Sequence, residues 1–191
     1  MEQAKKDLSN DAIQSQPAAR LWLGYTLANH QIWEPAHTAF IESGNIINSM
    51  PERLKPRLLL AQAETDLMAN DLAETARVLR KIPNDRRLTP SEKAAQEYIE
   101  SESAALAKDK EGSVPGFEKL VKGSDRLYKV RADIALTKQQ LEDKEIELPE
   151  AIKRFERLRF DWRNDRLEID ILRQLGQYYV DNKQYMEGLD V

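Results

Sequence analysis

The sequence predicts an all-α protein built as a stack of helical hairpins. Three observations carry this. Long stretches free of Gly and Pro are rich in Ala, Leu, Glu, Lys, Arg and Gln, the strong helix formers. β-branched residues are sparse, so no sheet is expected. A small residue recurs where two helices must approach closely: Gly24, Ala63, Ser101, roughly Ala135, and Gly176, at intervals of 39, 38, 34 and 41 residues.

Each hairpin follows from local signals. The first, residues 17–50, opens at Pro17, because proline suits a first helical turn. Its second helix is expected to open near Pro35, with Ala36, Phe40, Ile46 and Ile47 on one apolar face. The second, residues 51–84, runs from Leu58-Leu59-Leu60-Ala61 to Met68, turns at Asn70-Asp71, and returns with Leu72, Ala76 and Leu79 inward before Pro83-Asn84-Asp85 ends it. The third, residues 89–123, begins at Thr89-Pro90-Ser91-Glu92, where Thr89 or Ser91 is positioned as a cap. Tyr98, Ile99, Ala105 and Leu106 are its first apolar set, and Phe117, Leu120 and Val121 its second.

The fourth hairpin, residues 125–160, carries Leu127, Val130, Ile134 and Leu141, then a longer turn from Asp143 to Leu148, then Pro149, Ala151, Ile152, Phe155 and Leu158. The fifth, residues 164–191, starts near Asn164-Asp165, and residues 1–8 read as the tail of a preceding unit. The pattern is that of one solenoid fragment over residues 1–191, about four and a half hairpins, with no linker and no second domain. Self-association through the exposed ends of the stack is expected, since terminal repeats leave faces that neighbours would cover.

Composition excludes several classes. The 33 acidic and 29 basic side chains are intermixed and the net charge is −4, which is no footprint for nucleic acid. There is no Cys, hence no disulfide, thiolate nucleophile or Cys-ligated zinc. No apolar run reaches the ~20 residues that span a bilayer, so no membrane insertion is expected of this segment. His30 and His37 are the only histidines, too few for a metal centre on their own. Carboxylate pairs such as Glu64/Asp66 and Glu100/Glu102 are two apart and fall on different helix faces. Ser101 and Ser103 have no histidine nearby, and Gly112, Pro115 and Gly116 lack the Lys-Ser/Thr tail of a phosphate loop. Neither an enzyme nor a cofactor is therefore expected. Lys153, Arg154, Arg157, Arg159, Arg163 and Arg166 form the strongest charge run, but Glu150, Glu156, Asp161 and Asp165 interleave with it and are expected to pair with it.

Two stretches resemble a known signature. Leu172, Leu175, Gly176, Tyr179, Tyr185 and Gly188, and again Leu23, Gly24, Leu27, Trp33, Ala36 and Phe40, resemble the tetratricopeptide repeat. Gly188 stands where that family has Ala, and Gln31 and Lys183 where it has a turn Gly. The phrase from Ala151 through Arg154-Phe155-Glu156-Arg157-Leu158-Arg159-Phe160-Asp161-Trp162-Arg163 to Asp165 is similar to a stretch of large bacterial envelope-associated proteins of that family. The detailed likeness covers residues 149–189. It implies a right-handed α-α superhelix and a non-catalytic protein-interaction scaffold, periplasmic or envelope-associated, with a cytoplasmic location as the alternative. A structural spacer without a ligand of its own is the other functional expectation. The family's first helices line a concave face. The resemblance thus implies a protein or peptide partner held by Trp22, Tyr25 and Asn29, by Arg57, Glu64 and Met68, and by Arg173, Gln177 and Asp181.

Overall fold

The structure, a computed structural model, describes residues 16–82, 88–163 and 165–191. Residues 1–8, the Pro83-Asn84-Asp85 stop and Asn164 lie outside the described residues. Those described form ten α-helices and no strand: α1 Pro17–Asn29, α2 Trp33–Ser43, α3 Lys55–Met68, α4 Leu72–Leu79, α5 Pro90–Leu106, α6 Lys110–Val121, α7 Arg126–Glu142, α8 Leu148–Asp161, α9 Arg166–Asp181 and α10 Tyr185–Leu189. A 3₁₀ turn, Ile46–Ser49, follows α2. Ile46 and Ile47 therefore do not extend the face of α2. Gly44, at φ 59°, ends that helix first. The second helix of the first hairpin opens at Trp33, two residues before Pro35.

The chain divides into two compact units, residues 1–99 and 100–191, with the boundary inside α5. In the first, α1 packs on α2, α3 on α4, and α3 also on α1 and α2. Leu21, Leu27, Ala36, Phe40, Leu58 and Leu67 are buried there. In the second, α6 packs on α7, α7 on α8, α8 on α9 and α9 on α10. Its core joins Val130, Ala151, Ile152, Phe155, Leu158, Ile171 and Leu175.

One turn closes every hairpin. Gln31, Asn70, Lys108, Lys144 and Lys183 have φ of 56°, 62°, 61°, 59° and 60°. The N–H of the residue after each donates to the carbonyl five residues back: Ile32 to Leu27, Asp71 to Asp66, Asp109 to Ala104, Glu145 to Gln140 and Gln184 to Tyr179, at 2.8–3.0 Å. The left-handed residue itself donates three residues back, to Ala28, Leu67, Ala105, Leu141 and Val180. This pair of bonds satisfies the carbonyls that a helix end orphans. Four helices gain an Asp cap: Asp71 and Asp109 cap α4 and α6 directly after their turns, accepting from Glu74 N and Gly112 N, while Asp125 and Asp165 cap the first helices α7 and α9, accepting from Tyr128 N and from Leu167 N and Glu168 N. Thr89 is the cap of α5, not Ser91; its Oγ1 accepts from Glu92 N while the Glu92 carboxylate accepts from Thr89 N, a reciprocal capping box.

Measured from these turns, the repeat is 39, 38, 36 and 39 residues. Seven residues before each lies a small side chain: Gly24, Ala63, Ser101, Thr137 and Gly176. The marker in the fourth hairpin is thus Thr137, not Ala135. Ala135 is only partly covered, whereas Thr137 is fully buried. Its β-branched side chain hid it in the sequence, and its Oγ1 is buried without a hydrogen-bond partner.

Five residues after each turn lies a second small residue: Ala36, Thr75, Ser113 and Gly188, with Ala151 two later because the fourth turn is longer. Four residues beyond stand Phe40, Leu79, Phe117 and Phe155. The small positions are contact points. A Cβ on Gly24 would lie 3.1 Å from the Phe40 ring, and one on Gly188 would lie 3.3 Å from Gly176 O.

Two substitutions test this. A non-Gly residue in the left-handed region costs about 1–2 kcal/mol, partly offset by the entropy glycine loses on folding. Lys144→Gly is expected to stabilise by about 0.5–1 kcal/mol, read as a higher urea midpoint. Gly24→Val, driven against buried Phe40, is expected to cost about 1–3 kcal/mol; an unchanged midpoint would contradict the packing described.

Candidate functional site

The residues expected to bind a partner fall on three first helices. Trp22, Tyr25 and Asn29 share one face of α1, at i, i+3 and i+7. Trp22 is 39% exposed and meets Tyr25 edge-to-face, ring centroids 5.9 Å apart. Asn29 Nδ2 donates to Tyr25 O at 2.8 Å, so part of its hydrogen-bonding capacity is used inside its own helix. Arg57, Glu64 and Met68 share a face of α3, where Arg57 and Met68 are exposed and Glu64 is half-buried. In the second unit, Arg173, Gln177 and Asp181 run along α9 at i, i+4 and i+8, all exposed. Gln177 Nε2 donates to Asp181 Oδ1 at 2.8 Å, whereas Arg173 turns to Asp170 at 3.2 Å. Trp22 is thereby joined to Tyr25, Tyr25 to Asn29, and Gln177 to Asp181.

The arginine run from α8 to the start of α9 is partnered only in part as expected. Arg154 reaches Glu150 at 3.2 Å, as expected, and also Gln140 Oε1 at 2.8 Å. Arg157 pairs across helices with Asp133 at 2.8 Å, and Arg163 with Glu168 at 3.7 Å. Glu156 instead accepts from the Tyr179 hydroxyl, and Asp165 accepts from Trp162 Nε1 while it caps α9. Burial, together with that bond to Glu156, pushes the Tyr179 hydroxyl up to about 12 and keeps it a neutral donor. Trp162 packs against the core of the second unit, and the Arg126 guanidinium lies 5.1 Å from its ring centroid. Arg154, Arg157 and Arg163 of this run therefore serve joints between successive helices. Phe160 is the exception: it is 66% exposed and flanked by the guanidinium groups of Arg159 and Arg163 at 5.0 and 5.7 Å.

A constellation with no counterpart in the expected rows joins α2 and α3. Asp66 on α3 has a side chain only 2% exposed, and its Oδ1 lies 3.5 Å from His37 Nε2 on α2. Its Oδ2 is buried without a hydrogen-bond partner. Burial first, then the Glu74 and Asp71 carboxylates, raise the Asp66 carboxyl to about 7, opposed by Arg77 and Lys81. A signal was present: Asp66 stands four residues before its turn, where the first and fifth hairpins carry Leu27 and Tyr179. His37 thus faces a buried carboxyl on the next helix. Among the described residues no group of three or more His, Asp or Glu is arranged to hold a metal ion. No described helix is long and apolar enough to cross a membrane.

Comparison with protein-family models, with curated proteins and with solved structures finds no match for this chain.

The buried carboxyl makes a signed prediction. Its folded-state pKa lies above the unfolded value near 3.8, so its contribution is fully present below that value and is lost as pH rises through about 7. Chemical denaturation at pH 5 and pH 8 is expected to show a loss at the higher pH on the order of a few kcal/mol. Asp66→Asn is expected to flatten that dependence and to be the more stable protein at pH 8. An unaltered pH profile in the variant would remove Asp66 as its source.

Proposed function

We propose that this chain is a tetratricopeptide-like solenoid, a right-handed α-α superhelix, and that it serves as a non-catalytic protein-interaction scaffold. The observation that carries the reading is the same pair of closing bonds in all five hairpins, with a small residue seven before each and a second one five after it in four of them. Such a repeat places the same face of each first helix at regular steps, and side chains outside the packing pattern become a row of contact points. On α1 that row is Trp22, Tyr25 and Asn29; on α3 it is Arg57, Glu64 and Met68; on α9 it is Arg173, Gln177 and Asp181. Exposed Trp22, set edge-to-face on half-buried Tyr25 beside hydrogen-bonding side chains, suits capture of a peptide or helix, with the aromatics as anchors. The envelope location, periplasmic in preference to cytoplasmic, rests on the resemblance of residues 151–165 to large bacterial envelope-associated proteins.

A spacer role is favoured by one specific observation. Asn29, Gln177, Asp181 and Arg173 all have local partners on their own helices. A partner must displace those bonds before it gains any, which lowers the net energy of each contact.

The two readings separate in one experiment. The chain and a Tyr25→Ala, Asn29→Ala, Arg173→Ala, Gln177→Ala variant are immobilised and exposed to bacterial envelope extract, and retained proteins are quantified. Circular dichroism verifies that the variant keeps its helices. The scaffold reading expects at least one retained protein to fall about tenfold in the variant. Identical retention by both would end the scaffold reading in favour of the spacer.

A further inference from the structure

The charges on and after α8 alternate in the sequence but separate in space. Glu156 turns to the Tyr179 hydroxyl, and Asp165 to Trp162 Nε1 and the start of α9. Asp133 of α7, the partner of Arg157, has a side chain only 11% exposed, whereas that of Arg157 is 61% exposed. The middle of the open face of α8 is therefore cationic. Lys153, Arg157 and Phe160 stand on it at i, i+4 and i+7, all exposed. The guanidinium groups of Arg159 and Arg163 flank the Phe160 ring. The acids that stay accessible, Glu150 and Asp161, lie along one edge of this face.

The openness of this face does not arise at either end of the chain, because α8 packs on α7 before it and on α9 after it. Nor does hairpin packing call for an apolar side chain at Phe160. Aligned on the turns, and allowing for the two extra residues of the fourth, its equivalents are Asn45 and Lys122, both polar and exposed. A phenylalanine held between two guanidinium groups at a position the fold leaves to polar residues is a ready anchor for a ligand.

We propose that the open face of α8 docks an extended acidic segment of a partner protein, with carboxylates on Lys153 and Arg157 and an aromatic side chain on Phe160. Charge complementarity sets the sign of the partner. Spacing fits an extended chain: Lys153 and Arg157 lie about 6 Å apart along the helix axis, and acids on alternate residues of an extended segment lie ~6.6 Å apart. Width sets the class. The cationic face is one helix wide with Glu150 and Asp161 at its edge, so a flat anionic bilayer or a polyphosphate chain meets those acids too, whereas a single peptide runs past them. Arginine forks beside the ring suit carboxylates in particular. This face lies on a second helix and uses none of the first-helix row.

The test is fluorescence anisotropy of a labelled peptide with glutamate on alternate residues followed by phenylalanine. Versions with lysine for glutamate and with serine for phenylalanine are the controls. Saturable binding is expected, weakened about tenfold by Phe160→Ser or Lys153→Glu and by either control peptide. Both residues are exposed, so the substitutions leave the core intact. Lys122→Glu makes the same charge change on an exposed residue after α6 and is expected to bind as the parent does. No saturable binding, no effect of Phe160→Ser, or an equal loss in Lys122→Glu and Lys153→Glu overturns the proposal. Phosphatidylglycerol vesicles and a single-stranded oligonucleotide are added as competitors. Displacement of the peptide by either, with its own binding abolished by Phe160→Ser, assigns the face to lipid or nucleic acid and overturns the acidic partner. The retention experiment on Tyr25, Asn29, Arg173 and Gln177 is untouched by these substitutions, so the two ideas fail independently.

Discussion

The left-handed residue that closes each hairpin, with its two backbone bonds, is the constraint on which the rest depends. It ends a helix at a fixed residue and starts the next one in a fixed direction. Once direction and register are set, the residues seven before and five or seven after the turn lie where two helices cross. Those positions must then be small. Phe40, Phe117 and Phe155, four residues further on, fill the space behind the crossing. A single backbone conformation thus dictates the spacing of small and large side chains on both helices. None of the five residues that adopt it is glycine and only Asn70 favours it by its side chain, so elsewhere the turn is held by its bonds and by the packing on either side.

Between hairpins the polar joints carry what apolar area alone leaves loosely specified. In the second unit Lys110 reaches Asp143 and Glu145, and Ser113 meets Gln139, so α6 is tied to α7 and to the turn beyond it. Arg126 donates to Asp161 O and covers Trp162, which in turn holds Asp165 at the start of α9. Such bonds across partly exposed surfaces add little energy each, but they fix the angle at which one hairpin meets the next. In the first unit the corresponding joint is the His37–Asp66 pair. There the partner is a buried carboxyl, so the joint is set by protonation as well as by geometry.

The hairpins were legible in the sequence to the extent that their residues are conformationally outspoken. Pro17, Pro90 and Pro149 at helix starts, Asn70-Asp71 at a turn and Gly24 and Gly176 at crossings each say something local that tertiary contacts do not overrule. The fourth hairpin was misaligned because a threonine stands where the others carry Gly, Ala or Ser, and two extra turn residues shift its second helix. The lysines of the last three turns gave no signal, since nothing in a lysine announces φ above zero. The binding rows follow from helical spacing alone, which fixes a shared face but not the hydrogen bonds made there. Asp66 was passed over because its meaning depends on register. A carboxylate is unremarked in an average helix, but it stands out at a buried position where the first and fifth hairpins place Leu27 and Tyr179. The partners of Arg157 and Glu156 lie on other helices, 24 and 23 residues away, beyond the reach of any local pattern.

The closing bonds have a kinetic side. Each pair lies within six consecutive residues, and each second helix lies directly after the first in sequence. Little loop entropy has to be overcome before native contacts form, the circumstance in which small helical proteins fold fastest. On a ribosome the first hairpin has all its own partners as soon as Phe40 and Ser43 have emerged, before α3 has followed them out. Synthesis can therefore lay the hairpins down one after another, each new pair arriving beside a surface already formed.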